Sequence, residues 1–235
     1  MQQLEPAYLL HARPYRNTSL LVDFFTLKHG RVNGVLRGAR GDNSKSQNKL
    51  RGIVQPFIPL EISWTGKSEL VAIRHVEPAN SYHSLNGNAI LYGFYINELM
   101  ARLVHMHDAH EDLYFAYEKL LNNLSESSFH EAQLRIFEKR LLLNLGYALP
   151  LTHECNSEVE VVAESWYHFT PDQGPQRVDS QTTVSDLAIS GASLLALDRE
   201  ELTEIQALRD AKRLMRQALG RLLGNKPLKS RELFI

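Results

Sequence analysis

The first 80 residues contain five short runs of aliphatic and aromatic residues, separated by turns that carry glycine, proline or charged residues. Short runs of this kind are typical of β-strands. Five short strands in so small a region predict a closed or nearly closed barrel, because an open sheet would leave its edge strands unpaired. The predicted strands are Ala7–Ala12, Ser19–Phe25, Arg31–Leu36, Phe57–Ser63 and Glu69–Val76.

A polar stretch, residues 38–52, separates the third and fourth predicted strands. A segment with so few large apolar side chains contributes little to a core, so we expect a mobile surface loop here. Its only acidic residue is Asp42, and its basic residues are Arg40, Lys45, Lys49 and Arg51.

From about Asn88 the apolar residues recur every three or four positions, which predicts helices. Three such segments follow one another closely, and Gly146 with Pro150 ends the third, so we expect a small antiparallel bundle. Residues 151–182 then interrupt the pattern and predict a small hairpin or irregular module. The fold class is therefore α+β, with a five-stranded barrel domain over residues 1–80 and a helical domain over residues 81–235.

The last predicted helix, residues 206–224, is amphipathic. A helical wheel places four cations in one stripe beside an apolar face that contains Ala211, Met215 and Ala218. These cations are Arg209, Lys212, Arg213 and Arg216.

The chain has 235 residues, a formal net charge of −1 and an apolar fraction of 43%, as in an ordinary globular protein. The charge is unevenly distributed. Residues 1–80 carry eleven Lys and Arg against six Asp and Glu, residues 81–205 seven against nineteen, and residues 206–235 eight against two. Basic ends that flank an acidic middle favour polyanion binding by those ends, with an uneven solvated surface as the alternative.

Metal, cofactor and nucleophile chemistry find little support. The single cysteine, Cys155, excludes an internal disulfide and any zinc site built from several thiolates, and His153 and His168 do not complete a zinc pattern. Thr65–Ser68 reads TGKS, but Glu61 stands where a phosphate-binding loop has glycine, and a strand is predicted to follow. We expect no cofactor, no metal and no catalytic residue.

A histidine-rich segment, HMHDAH at residues 105–110, is the best remaining metal candidate. On a helix His105 and His107 would lie about 200° apart and could not share one ion. A metal-dependent nucleic-acid enzyme that uses His105–Glu111 stays as one alternative.

The barrel cations predict binding to nucleic acid, because small five-stranded barrels combine a cationic groove with aromatic platforms for single strands. The aromatic candidates are Phe24, Phe25, Phe57 and Trp64, most of which we expect in the core. The predicted DNA-binding residues of the barrel are Arg13, Arg31, Arg37, Arg40, Lys45, Lys49 and Arg51.

Several stretches resemble the RecO family of bacterial recombination mediators. The first is HARPYRNTSLLVDFFTLKHGRVNGVLRGAR (residues 11–40), with R-P-x-x-N-x-S-L, D-x-F-T, G-R-V and R-G-A-R in order. Others are LRGIVQPFIPLEISWTGKSEL (50–70), LYGFYINELMARLV (91–104), residues 134–155, AKRLMRQAL and GNKPLKSRELF. The resemblance therefore covers essentially the whole chain.

The resemblance implies an N-terminal OB-fold followed by a helical domain. It also implies a protein that binds single- and double-stranded DNA, anneals complementary strands, engages the acidic, aromatic-ended tail of the single-stranded DNA-binding protein SSB, and with RecR helps to load RecA onto SSB-coated DNA. Some family members carry a four-cysteine zinc module near residues 151–180, where this chain keeps only Cys155. Zinc is therefore not carried over.

The resemblance also assigns one partner residue. Arg135 stands in LRIFE, which matches the family stretch whose arginine is associated with capture of the SSB tail. The alternative is an arginine paired with Glu131 or Glu138 on the same helix. Lys229 and Arg231 of the terminal KPLKSRELF are further cations without an assigned role.

Two more expectations complete the sequence-based interpretation. No apolar run approaches the roughly 18 residues of a membrane helix, and no signal pattern opens the chain, so we expect a cytoplasmic protein that associates with the nucleoid and not with membranes. An OB-like adaptor that binds proteins but no nucleic acid is the main alternative.

Overall fold

The computed structural model describes residues 4–40, 50–66, 68–79, 84–126, 129–178 and 188–234. The chain forms two compact units. One contains residues 1–128 together with 227–235, and the other contains residues 129–226.

The first unit is built on a closed five-stranded barrel in the order β1-β2-β3-β5-β4. All neighbouring strands are antiparallel except β3 and β5, which pair in parallel from Asn33 with Leu70 to Leu36 with Ile73. The predicted OB-fold barrel is confirmed, and each predicted strand overlaps an observed one. The strands are β1 (Glu5–Tyr15), β2 (Ser19–Thr26), β3 (Gly30–Leu36), β4 (Pro59–Thr65) and β5 (Leu70–Pro78).

Alternating residues of the strands fill the barrel, since successive side chains of a strand point to opposite faces. Val22, Phe24 and Val32 are completely or almost completely buried in this core. The next residue, Phe25, faces outward and packs against Tyr114 and Tyr117, at ring-centroid distances of 5.8 and 6.4 Å. The barrel thus has an inner core and an outer, helix-covered face.

Two helices, α1 (Asn88–Leu103) and α2 (Glu111–Ser125), belong to the same compact unit as the barrel. A 3₁₀ helix at the end of the chain, Lys229–Phe234, belongs to it as well. Residue 80 lies between the last strand of the barrel and the first helix. The compact unit, however, extends past it to residue 128.

The second unit contains a three-stranded antiparallel sheet. The predicted insert, residues 151–182, supplies the central strand and one edge strand, and the other edge strand follows the insert. The third helix of the predicted bundle lies in this unit and packs against the last one, so the three predicted helices are divided between the two units. Its elements are α3 (Ala132–Asn144), β6 (Trp166–Thr170), β7 (Gly174–Val178), β8 (Ile189–Ser190), α4 (Gly191–Asp198) and α5 (Ile205–Leu223).

Candidate nucleic-acid interface

One row of cross-strand neighbours crosses the outer surface of the barrel. Arg13 of β1 lies opposite Leu21, Leu21 opposite Val35, and Val35 opposite Ala72. Because the residues next to these in each strand fill the barrel core, this row faces outward. It gives a flat apolar strip with Arg13 at one end.

Further arginines surround this strip. Arg37 and Arg74 each follow one partner of the Leu36–Ile73 pair on neighbouring parallel strands, and Arg16 lies in the β1–β2 turn. We call Arg13, Arg16, Arg37 and Arg74 the outer arginine face. All four are exposed, and none of them forms an ion pair with another residue that the structure describes.

An aromatic ring completes the outer arginine face. The guanidinium of Arg16 lies 5.2 Å from the centroid of the Tyr15 ring. A shallow cavity of about 210 Å³ lies beside it, lined in part by Tyr15, Val35, Arg37 and Leu70. Guanidinium groups hold phosphates, and a ring or an apolar strip accepts the face of a base, so this surface has the chemistry that single strands require.

Sequence reasoning named Arg13 and Arg37 but did not assign Tyr15 or Arg74. The four aromatics it did name have other positions. Phe24 and Phe25 are buried, Phe57 packs edge-to-face on Phe94 with centroids 5.2 Å apart, and the half-buried Trp64 packs on His29. A usable signal was the outward period-2 position of Tyr15, next to a turn arginine.

Of the cations of residues 38–52, the structure describes Arg40 and Arg51. The Arg40 backbone N–H donates to the Thr18 carbonyl at 3.0 Å. Arg40 and Arg51 line a cavity of about 1270 Å³ beside β1 and α1. Lys45 and Lys49 lie outside the described residues.

The Arg31 side chain is engaged in contacts within the protein. Its Nη2 lies 2.5 Å from Asp23 Oδ2, its Nη1 donates to the Val104 carbonyl at 2.7 Å, and its side chain is only 12% exposed. Burial raises the pKa of Asp23 above its usual value, and Arg31 opposes that rise. We therefore propose a structural role for Arg31 in place of the predicted DNA contact.

The predicted cations of α5 also include both exposed residues that are unpaired among the described residues and residues that contact other parts of the protein. Arg209 and Arg216 are exposed and form no ion pair with the part of the chain that the structure describes. Lys212 is also exposed but lies 2.8 Å from Glu131 Oε1. Arg213 is half-buried, lies 3.1 Å from Asp210 Oδ1 and donates to the Ala188 carbonyl, so we propose a structural role for it as well.

Arg135 lies on the buried side of α3. It is 7% exposed, and its Nη2 lies 2.9 Å from Oε1 of the fully buried Glu138. The paired arrangement that the sequence left open is thus present, with Glu138 as the partner. The Arg135 Nε has no hydrogen-bond partner among the described residues.

The candidate metal ligands do not come together. No group of three or more His, Cys, Asp or Glu residues is placed to hold an ion within the described ranges. The histidine-rich segment connects α1 to α2, where His110 Nε2 lies 3.2 Å from Asp108 Oδ2. Among the helices of the described residues, none is long and apolar enough to cross a membrane.

Two protein-family profiles together match nearly the whole chain. A profile described as Recombination protein O N terminal matches residues 1–82, and one described as Recombination protein O C terminal matches residues 84–232. The DNA repair protein RecO of Coxiella burnetii (strain RSA 331 / Henzerling II) is 43% identical over 98% of this chain and 97% of its own length.

Two further relatives agree. The DNA repair protein RecO of Cellvibrio japonicus is 42% identical over 98% of this chain and 96% of its own length. That of Nitrosococcus oceani is 39% identical over 98% of this chain and 92% of its own length. With profile matches to both halves and relatives of this identity over nearly the full length, the chain belongs to the RecO family of DNA repair proteins.

Proposed function

We propose that the protein is a recombination mediator that binds single- and double-stranded DNA and anneals complementary strands. We further propose that it engages the SSB tail and acts with RecR to help RecA load onto SSB-coated DNA, in the cytoplasm at the nucleoid. The observation that carries the DNA-binding part is the outer arginine face, four exposed arginines beside Tyr15 on an OB-fold barrel.

Annealing follows from charge neutralisation. Two complementary strands repel each other through their phosphates, and cations on one protein surface release the counterions and reduce that repulsion. Neutralising six phosphates on single-stranded DNA predicts that log affinity falls with log salt at a slope of about −4. The outer arginine face together with Arg40 and Arg51 supplies six such cations.

The helical cations supply a second contact in this proposal. Arg209 and Arg216 are exposed on the same helix, α5, where phosphates can reach them. The SSB tail is assigned to Arg135, because a guanidinium can hold a terminal carboxylate and the Arg135 Nε lacks a described partner.

The decisive experiment measures annealing of SSB-coated complementary strands by the double variant Arg13→Glu, Arg37→Glu. We expect loss of annealing and a salt slope smaller in magnitude by about 1.4, since each phosphate contact removed from single-stranded DNA lowers the slope by about 0.7. The matched control is Lys119→Glu, which reverses an exposed charge on α2.

The outcomes separate the alternatives. A protein-binding adaptor predicts that neither variant changes the activity measured with bare DNA, and a wild-type slope near zero would remove the electrostatic basis of the proposal. Strand cleavage that stops in the presence of a chelator would favour the metal-dependent enzyme.

A further inference from the structure

A cavity of about 1270 Å³ in the first unit runs along the second half of β1. It exceeds the roughly 300–1,000 Å³ of typical small-molecule pockets, which favours an extended ligand. We call it the β1 groove. Its walls come from β1, from α1, from residues 39–40 and 51–56, and from the C-terminal 3₁₀ helix.

The groove exists because β1 is longer than its partner on one side. β1 pairs with β2 from Ala7 to Tyr15, but with β4 only from Glu5 to Tyr8. Beyond Tyr8, no strand of the described residues therefore pairs with this edge of β1. Asn97 of α1 lies over this edge and donates to the carbonyls of Leu9 and Leu10, at 3.2 and 3.1 Å.

Among the described residues, the lining combines apolar side chains with an exposed phenyl ring. Leu10, Val54 and Pro56 contribute apolar surface. Phe94 of α1 also lines the groove, is 39% exposed and packs edge-to-face with Phe57, with centroids 5.2 Å apart. An exposed ring that is held by a neighbouring ring is suited to stacking against a flat ligand.

Cations prevail at the rim. Arg40, Arg51 and Lys229 line the groove, and none of them forms an ion pair with a described residue. Glu98 also lines it, but its two carboxylate oxygens accept the backbone N–H groups of Lys229 and Ser230. Among the described lining residues, Glu232 is the other acid, so these residues present three cations to one uncommitted carboxylate.

We propose that the β1 groove holds unpaired nucleotides of a DNA single strand. The phosphates contact Arg40, Arg51 and Lys229, and a base stacks on Phe94. In a duplex the bases are already stacked and paired inside the helix, so they cannot reach Phe94. The groove therefore selects single strands, whereas the outer arginine face contacts phosphates of either form; this inference rests on the proposed DNA-binding function.

The test compares the affinity of Phe94→Ala for oligo(dT) and for a duplex of equal length, by fluorescence anisotropy of the full-length protein. We expect single-strand affinity to fall by about five- to a hundredfold, as for other base–aromatic stacks, with duplex affinity unchanged. Phe115→Ala is the matched control, because Phe115 is an equally available ring on α2, 53% exposed and outside the groove lining.

A second variant guards against a folding defect. Phe94→Leu keeps apolar bulk against Phe57 but loses the ring, and we expect it to reproduce the selective loss. Equal losses for single strands and duplex, or unchanged affinity in both Phe94 variants while the wild type binds DNA, would overturn the groove inference alone. A wild type that binds neither DNA would overturn the proposed function itself.

Discussion

The Tyr117 hydroxyl donates a hydrogen bond to Asn97 Oδ1, with the two atoms 2.5 Å apart, in the interior of the first unit. The Asn97 amide in turn donates to the carbonyls of Leu9 and Leu10. Burial raises the pKa of Tyr117, with Tyr114 adding to the rise, so the hydroxyl keeps its proton at every physiological pH. One side-chain pair thus joins α2, α1 and β1.

Tyr117→Phe leaves the buried Asn97 Oδ1 without this donor. We expect the free energy of unfolding to fall by about 1–3 kcal/mol, because an unsatisfied buried acceptor keeps its desolvation penalty. Urea denaturation measures the change. Tyr114→Phe is the control, since Tyr114 makes ring contacts in the same aromatic cluster, and a change below about 0.5 kcal/mol is expected there.

Arg31→Ala removes the counter-charge of Asp23. Because the pKa of Asp23 is raised in the folded protein, the folded state holds this proton more tightly than the unfolded chain does. Its contribution to the free energy of unfolding is therefore present below the unfolded pKa and is lost as the pH rises through the folded pKa. Without Arg31 the pKa of Asp23 rises further, so we expect a destabilisation of about 3 kcal/mol at neutral pH that shrinks towards pH 4.

Denaturation at several pH values checks this, with Arg37→Ala as the exposed control. Folded Arg31→Ala protein should bind DNA as the wild type does, while Arg37→Ala should bind more weakly. The reverse order of DNA affinities would return Arg31 to the DNA interface.

Glu98 holds the C-terminal 3₁₀ helix, and its pKa reports that contact. Burial raises the pKa of Glu98, but the backbone N–H groups of Ser230 and Lys229, together with Arg102, lower it by a larger amount. The pKa of Glu98 therefore lies below the usual 4.5. Because the pKa of Glu98 is lowered in the folded protein, its contacts stabilise the fold at pH values above the unfolded pKa. That stabilisation is lost as the pH falls through the folded pKa.

We therefore expect amide-exchange protection of Lys229 and Ser230 in the wild type to decrease as the pH falls through the lowered pKa of Glu98. Glu98→Ala should lower that protection at pH 7 by about 2 kcal/mol, roughly thirtyfold, as for hydrogen bonds to a charged group. Glu69→Ala, at an exposed site before β5, should change nothing. Retained protection in Glu98→Ala would show that other contacts hold the helix.

Arg135 can be separated from its structural partner by paired variants. Arg135→Ala removes the ion pair that Arg135 forms with the fully buried Glu138, so we expect a loss of about 3–5 kcal/mol in stability. Adding Glu138→Gln to it should recover much of that stability. Glu138→Gln alone removes the partner but keeps the guanidinium.

Binding of an SSB-tail peptide, measured by calorimetry, then tests the recognition role. Glu138→Gln should bind the peptide, and the double variant should not, although both are folded. The same peptide with an amidated C-terminus should bind weakly to either. Equal binding of the free-acid peptide to both variants would show that Arg135 serves only the buried pair.

The barrel was predictable because its strands alternate strongly between inward and outward side chains, and turn residues separate them. The alternation also distinguishes Phe24 from Phe25 once the strand is recognised. What covers Phe25 was not predictable, because an amphipathic helix shows which of its faces is buried but not which surface it packs on. Tyr114 and Tyr117 reach Phe25 from about 90 residues further along the chain.

The candidate site was predictable as a set of cations and not as a surface. Arg31 and Arg37 both come from the third strand region, and sequence alone treats them alike. Only the register of β2 and β3 brings Asp23 to Arg31 and leaves Arg37 exposed. The same limit applies to Arg213, whose role depends on the buried Asp210 and on the Ala188 carbonyl.

The last nine residues belong to the compact unit that contains the barrel, with residues 129–226 between them and the rest of it. A ribosome therefore releases the barrel and its two helices long before it supplies Lys229 and Ser230. At about 5–20 residues per second, the intervening stretch takes about 5–20 s to synthesise. During that interval Glu98 lacks its N–H donors, and the nascent barrel exposes the β1 groove with one wall missing, to any chaperone or DNA strand nearby.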